Sequence, residues 1–428
     1  MKHVAQPRYD ILIAGAGFAG SLTALILNQL GLRVCLVEKG SHPRFAIGES
    51  STPVADMILR SLSSQYHLPW LADFSRYGSW QETHPEIICG IKRGFSYFKQ
   101  EPGKPFHTTA AHQNELLVAA STSDLLSDTN WLRADFDLFL TEKVKEFGID
   151  YLDHTEIVSG QKESSWKFEA QCDGKTEWLE ASFLIDATGS GSFVERLLGI
   201  PSESAQFRTH SFAIYSHFEG VPHWMDLLHR MGFSTSDYPY DPDYSALHQV
   251  LEEGWLWMLR FNDERVSMGL VLDQHLNDYS GSSAEEIWKT FTQKYPALQE
   301  IIKEATFHEI PGQLIRSARL QRRMRQGYGK GWVALPHSIG FVDPLFSSGI
   351  AHTLSGIEKI IPIVKEAWGN ESLMQNLLLQ YQQGVFDELD LVDQIVAGSY
   401  RAFPDFNLFN AWSMCYFAAT IAHEQRRL

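Results

Sequence analysis

Gly15-Ala16-Gly17-Phe18-Ala19-Gly20 is a G-x-G-x-x-G turn caught between two apolar segments near the start of the chain. Residues 9–14 before it read as a short strand and residues 18–30 after it as a helix. Residues 32–38 read as a second strand, carried by the β-formers Val34, Leu36 and Val37. That order makes a β-α-β unit. Its first glycine permits the tight turn, the second lets backbone approach a pyrophosphate, and the third lets helix and strand touch. Amides at the helix start then face the phosphates. Glu38, eighteen residues after Gly20, ends the second strand, where a carboxylate can accept both hydroxyls of an adenosine ribose. The expected ligand is a dinucleotide held by Gly15, Gly17, Phe18, Ala19, Gly20 and Glu38. The turn alone does not separate FAD from NAD.

The remainder of the chain sets the frame for that unit. Residues 54–64 look helical, and residues 135–147 form an amphipathic helix that Gly148 ends as a C-cap. Residues 151–185 are strand-like with a turn at Asp173-Gly174, and residues 207–308 alternate strands with one helix near 284–295. Residues 234–244, rich in Asp, Tyr, Ser and Pro, read as a loop, and the chain is largely helical from Ile350 onward. The expectation is an α/β protein. A net charge of −16 argues against binding nucleic acid or an anionic membrane surface. Cys35, Cys89, Cys172 and Cys415 form no C-x-x-C pair and read as reduced thiols. His107, His112, His210, His217, His223 and His229 form no metal-ligand pattern, so no metal is expected. The apolar N-terminus is interrupted by glycines and is not read as a signal peptide, and residues 411–422 are too few to span a bilayer, so a cytoplasmic protein is expected.

Two later segments favour FAD. Phe183-Leu184-Ile185-Asp186-Ala187-Thr188-Gly189 is an apolar run ending in Asp-Ala-Thr-Gly, and Phe341-Val342-Asp343-Pro344 precedes a Ser/Gly-rich turn. With the N-terminal turn they resemble the FAD domain of aromatic hydroxylase-type flavoproteins. No second G-x-G-x-x-G with a following acid occurs, so no separate NAD(P)H domain is expected.

A further set of segments resembles flavin-dependent halogenases. His42-Pro43-Arg44-Phe45-Ala46-Ile47-Gly48-Glu49-Ser50 is similar to their F-P-R-x-x-I-G-E-S segment, and Asp343-Pro344-Leu345-Phe346-Ser347-Ser348-Gly349-Ile350 to their D-P-L-F-S-S-G turn. Lys92-Arg93-Gly94-Phe95 resembles the stretch with their active-site lysine, Gly254-Trp255-Leu256-Trp257 the first half of W-x-W-x-I-P, and Arg133 with Phe136-Asp137 their R-x-x-F-D. Asp405-Phe406-Asn407-Leu408-Phe409 also has counterparts there, so the matches run over nearly the whole chain.

The resemblance implies a Rossmann-type FAD domain at 1–360, a substrate-covering sheet interleaved at about 85–115 and 207–320, and a C-terminal helical region at 361–428. It implies that FADH2 from a separate flavin reductase, oxygen and chloride or bromide give hypohalous acid. That acid reaches Lys92 beside a small or carrier-bound aromatic substrate. Arg44, Gly48, Ser50, Arg133, Asp186, Gly189, Asp343, Pro344, Gly349 and Ile350 are then further FAD contacts. Ser347, Ser348 and Gly349 form the halide site, and Glu49 joins Lys92 as a catalytic residue in the loop linking the two centres. Glu49 has the alternative of a simple ion pair with Arg44. Three positions depart from the pattern. Phe346 stands where tryptophan halogenases have a glutamate, which points to the phenol- and pyrrole-type branch. Leu259-Arg260 replaces Ile-Pro, and Pro336-His337 replaces Gly-Asp. A hydroxylase or reductase on the same fold, or a non-catalytic flavin-binding protein, are the competing expectations.

Overall fold

Parallel pairing buries a strand on both faces, and the first apolar run is buried in this way. In the computed structural model, which describes residues 8–191 and 193–427, Arg8–Ala14 lies between Val34–Val37 and Lys175–Asp186, both parallel to it. Ile11, Leu12 and Ile13 have no exposed surface. The sheet continues through Asp150–Leu152 at one edge and through Trp332–Ala334 and Tyr328–Gly329 at the other. The helix Phe18–Gln29 packs between this sheet and the helices Arg133–Glu146 and Ser348–Ala367, so its residues 18–27 are all buried. The expected Asp173-Gly174 turn is present, both residues having positive φ (48° and 76°), and Gly148 follows its helix at φ 71°. Among the described residues no helix is long and apolar enough to cross a membrane.

A second, mostly antiparallel sheet orders Thr306–Phe307, Ser211–Glu219, Val266–Asp273, Gly254–Arg260, Ala246–Val250, Gly94–Lys99 and Glu115–Ala119. Its two faces bury alternate residues of each strand. Leu256 and Met258 face the helices Ala284–Lys294 and Pro296–Ile302, while Trp255, Trp257 and Leu259 face the C-terminal helices Glu371–Ala402 and Phe406–Arg427. A short antiparallel pair, Cys89–Lys92 with Asp128–Trp131, lies apart from both large sheets.

Residues 207–308 hold three helices rather than one. Trp224–Arg230 spans seven residues, too few to display a 3.6-residue repeat, and Pro296 starts a separate helix straight after Ala284–Lys294. The 234–244 loop is anchored inward by Tyr240, whose hydroxyl donates to the Phe95 carbonyl at 2.8 Å.

Leu259-Arg260 continues its strand without a break, and Arg260 donates to the Val221 and Pro222 carbonyls. Trp257 lies directly opposite Gly269, where an added Cβ would sit 2.0 Å from the indole. Gly269→Ala is expected to push the indole aside and cost about 1–3 kcal/mol, read as a lowered unfolding midpoint.

Candidate active site

At the glycine turn, backbone crowds backbone. A Cβ on Gly15 would lie 2.7 Å from the Ala187 carbonyl oxygen, and one on Gly20 would lie 1.9 Å from that of Gly15. Gly17 is different. Its φ of −67° suits any residue, and its Cβ direction opens toward the side chains of Arg133, Arg44 and Asp137 at 3.4–3.6 Å. Two guanidinium groups therefore converge on the mouth of the turn, where the phosphates of a dinucleotide belong. Arg133 is held there by its ion pair with Asp137 at 2.8 Å and by the Ile47 and Gly48 carbonyls. The buried Nε of Arg44 and Nε2 of His42 have no protein partner. Glu38 accepts from the Ala16 amide at 2.9 Å and lies 3.8 Å from Arg44. Phe18 donates its amide to Asp137 at 3.1 Å and packs beneath Arg133, while Ala19 is buried behind it. The donors and the bare glycine surface fit a pyrophosphate with an adenosine.

From this turn a lane of small or aromatic groups runs toward the second motif. Gly189, at φ 60°, faces His337, its Cβ direction reaching the imidazole at 3.1 Å. His337 stands 5.3 Å from the Phe341 ring, which is the nearest group to a Cβ on Gly349, at 3.8 Å. Burial and the nearby Arg322 and Arg133 hold His337 well below the usual imidazole range, so it is neutral and can hydrogen-bond a neutral hydroxyl. Asp186 and Asp343 turn inward. Asp186 accepts from the Thr188 amide and hydroxyl and from the Val194 amide. Asp343 accepts from Ser211, Tyr400 and the Leu345 amide, and burial pushes it up to about 7. They fix the turns that carry Gly189 and Ser347.

Ser347 takes a left-handed conformation (φ 53°) just before the helix Ser348–Ala367, with Pro344 at the front of the turn and Ile350 buried in the first helical turn. Its own amide donates to the Pro344 carbonyl, so the anion-facing donors of this turn are the helix-start amides of Ser348 and Gly349. Its hydroxyl donates to Ser50 at 3.1 Å, tying this turn to the Gly48-Glu49-Ser50 segment. Glu49 does not pair with Arg44. It is buried and hydrogen-bonds His217 Nε2 at 2.8 Å, and the other ring nitrogen of His217 is buried without a partner.

Lys92 has no exposed surface. Its ammonium group donates to the Ser51 carbonyl, the next link of the same segment, and lies 4.2 Å from the centre of the Phe95 ring. Burial brings it down to about 8, against the opposing pull of Asp128 and Asp56. Around it stands an aromatic wall. Phe95 meets Phe417 at 5.2 Å, Tyr97 stacks on His248 at 4.5 Å, and Phe346 meets Tyr416 at 4.2 Å. The buried Tyr97 hydroxyl and both polar atoms of the Asn130 amide have no partner. One loop thus joins two parts of the site, the glycine-lined lane and a buried aromatic cluster around Lys92.

Asp56, Asp128, Asn130 and His217 were not among the sequence candidates. In the sequence His217 is one of several scattered histidines without a metal-ligand pattern, and Asp128 stands only five residues before Arg133. Among the described residues His223, Asp241 and Asp243 bring ligand atoms together, but Asp243 already accepts from the Met225 amide and lies 3.5 Å from Arg260. No metal is proposed there.

Fold and glycine turn define a dinucleotide-binding protein of the Rossmann type, with a buried lysine cluster joined to that turn by one loop. The tryptophan halogenase family model matches residues 10–65 and 130–405. The chain belongs to that family, and is an FAD-dependent oxidoreductase of the halogenase class. Lys92 lies in the stretch between the matched segments. Monodechloroaminopyrrolnitrin halogenase PrnC of Pseudomonas fluorescens is 26% identical over 98% of this chain and 72% of its own length. Tetracycline 7-halogenase of Kitasatospora aureofaciens is 25% identical over 100% of this chain and 76% of its own. The crystal structure of halogenase PltM in complex with phloroglucinol and FAD has a TM-score of 0.88 at 27% identity, covering 98% of this chain and 82% of that one.

Proposed function

We propose that this protein uses reduced FAD, oxygen and chloride or bromide to halogenate an electron-rich phenol- or pyrrole-type ring, free or carrier-bound. A separate reductase supplies the reduced flavin. The observation that carries this reading is the single loop that touches both the flavin-side turn and the buried lysine. Ser50 meets Ser347 of the turn, and the adjacent Ser51 carbonyl holds the fully buried Lys92.

Bound FAD supplies the reducing electrons that let oxygen oxidise a halide. The protein's own residues do the rest. Gly17 leaves backbone open to the pyrophosphate while Gly15 and Gly20 let the turn pack tightly, Arg44 and Arg133 neutralise the phosphates, and Glu38 accepts the ribose hydroxyls. Gly189, Pro344, Gly349 and Ile350 line the lane, with Asp186 and Asp343 fixing their turns. Amides of Ser348 and Gly349 hold the halide at a helix start, with Ser347 shaping the turn that presents them. Glu49, locked to His217, keeps the linking loop in place. Lys92 donates a hydrogen bond to the oxygen of hypohalous acid and aims its halogen at the ring; the ring carbon gains the halogen, and the displaced proton and hydroxide leave as water. Phe346 and the aromatic wall exclude water and hold a flat substrate.

The test is to load the protein with FAD, reduce it without oxygen and mix it with oxygen, with and without bromide. An oxygen-dependent absorbance transient that decays faster with bromide, while a hypobromite trap becomes brominated, is the expected result. A transient indifferent to bromide would instead support a hydroxylase, and no transient a reductase or silent flavoprotein.

A further inference from the structure

We propose that Asp128, backed by Asp56, is the positioning residue for Lys92: it serves as the lysine's counter-ion inside the buried cluster and sets the pH range over which the lysine steers halogen. The inference deepens the halogenase reading and rests on it.

Lys92 and Asp128 are directly opposed across the antiparallel pair Cys89–Lys92 with Asp128–Trp131. Opposed residues place their side chains on the same face with Cβ atoms about 5 Å apart. Asp128 is 3% exposed and Asp56 4%, and one oxygen of Asp128 has no hydrogen-bond partner. Asp56 reaches the cluster from the helix Pro53–Gln65, accepts from the Ser51 hydroxyl at 3.5 Å, and lies within hydrogen-bond reach of Asp128. Ser51 thus offers its carbonyl to Lys92 and its hydroxyl to Asp56.

Two buried acids beside one buried base make sense only as a set. A lone buried lysine sheds its proton, and two adjoining carboxylates cannot both ionise. One proton on Asp56, one negative charge on Asp128 and one positive charge on Lys92 leave the trio neutral. Burial, followed by the charge and hydrogen bond of Asp128, pushes Asp56 well above the usual carboxylate range. Burial also raises Asp128, but Lys92 and the Asp56 hydrogen bond oppose it. The other charged or titratable groups facing the trio are Arg60, which favours the anions; His248, pushed down to about 3 by burial and therefore neutral; and Glu424 of the last helix, pushed up to about 7 by burial and Asp128. No carboxylate of the Asp343–Gly349 turn takes this part, because Phe346 stands there and Asp343 is turned toward Ser211 and Tyr400.

The experiment compares wild type, Asp128→Asn and Asp56→Asn, each with chemically reduced FAD and bromide. Ring bromination and trap bromination are followed in parallel from pH 6 to 10. Asp128→Asn is expected to move the basic limb of ring bromination down by at least about one pH unit, a tenfold change at the old limb. Trap bromination stays within about twofold. Asp56→Asn can still donate its hydrogen bond, so it leaves the limb where it is, whatever it does to the rate. A uniform loss at all pH values in both variants, with no shift of the limb, would overturn the proposal as a merely structural effect.

A second measurement does not depend on activity. Lys92 titrates near 8 in the fold against 10.5 in the ordinary state, so the unfolded chain holds more protons between those values and this group's contribution makes stability rise with pH across them. The difference in unfolding temperature between wild type and Lys92→Met should show that rise, beginning near pH 8. The difference between Asp128→Asn and Asp128→Asn/Lys92→Met should begin it lower. An unmoved onset overturns the counter-ion role. If wild type brominates neither ring nor trap, the halogenase reading fails while this onset still decides the pairing.

Discussion

Lys92→Met is expected to lower ring halogenation by about three orders of magnitude while FAD binding and trap bromination persist. A positioned acid or hydrogen-bond donor typically contributes 10²–10⁴-fold, and Lys92 is the ammonium donor that the Ser51 carbonyl holds in the buried cluster. Methionine is unbranched, only one heavy atom shorter and apolar, which suits a site with no exposed surface. Exchange of a buried charge for a similarly shaped apolar group is often neutral or stabilising when the partner charge can also be neutralised. Asp56 and Asp128 can take up protons, so the variant should fold. The measurement is product formed per trap equivalent under one supply of reduced FAD. Retained ring halogenation would remove the lysine from the reaction, and loss of trap bromination as well would relocate its role to the flavin side.

Gly17→Val is expected to weaken FAD binding by at least roughly 100-fold, about 3 kcal/mol, with a nearly unchanged unfolding temperature without flavin. The contrast between fold and binding follows from the glycine's setting. A Cβ here meets only side-chain atoms at 3.4–3.6 Å, whereas at Gly20 it would strike a carbonyl at 1.9 Å. Valine therefore spares the chain but fills the space where the phosphates must meet backbone, and its methyl groups crowd Arg44 and Arg133. Titration of flavin fluorescence measures the loss. Unchanged affinity would refute the placement of the pyrophosphate. A variant that unfolds would point to a tighter turn than the one described.

Much of the flavin side was legible because its signals are local. A glycine turn, its flanking apolar runs and an acid at the end of the next strand lie within thirty residues, and the helix and strands form at those places. The substrate side is built from distant pairings that leave little trace in the sequence. Asp128-Thr129-Asn130 looks like a solvated polar turn, yet all three are buried because they pair with Cys89–Lys92 and Ser50. His217 and Glu49 are 168 residues apart and meet only when the second sheet closes over the linking loop. Lys92 stands beside Arg93, so in the sequence it looks like a surface cation, and only the resemblance to a family singles it out. Its burial comes from Phe95, Asp128 and the loop at Ser51.

The contact of Ser50 with Ser347 and of Ser51 with Lys92 has an engineering consequence. On the proposed reading, adjacent residues serve as a fixed tether between the centre that makes the oxidant and the centre that consumes it, so the two can be altered separately only while that tether keeps its length. Of the aromatic wall, Phe95 must stay because it covers Lys92, whereas Tyr97, Phe346 and Phe417 lie beyond the tether and can be recut for new rings. An insertion or deletion between Gly48 and Thr52 would instead uncouple the halves, leaving a catalyst that leaks its oxidant into water.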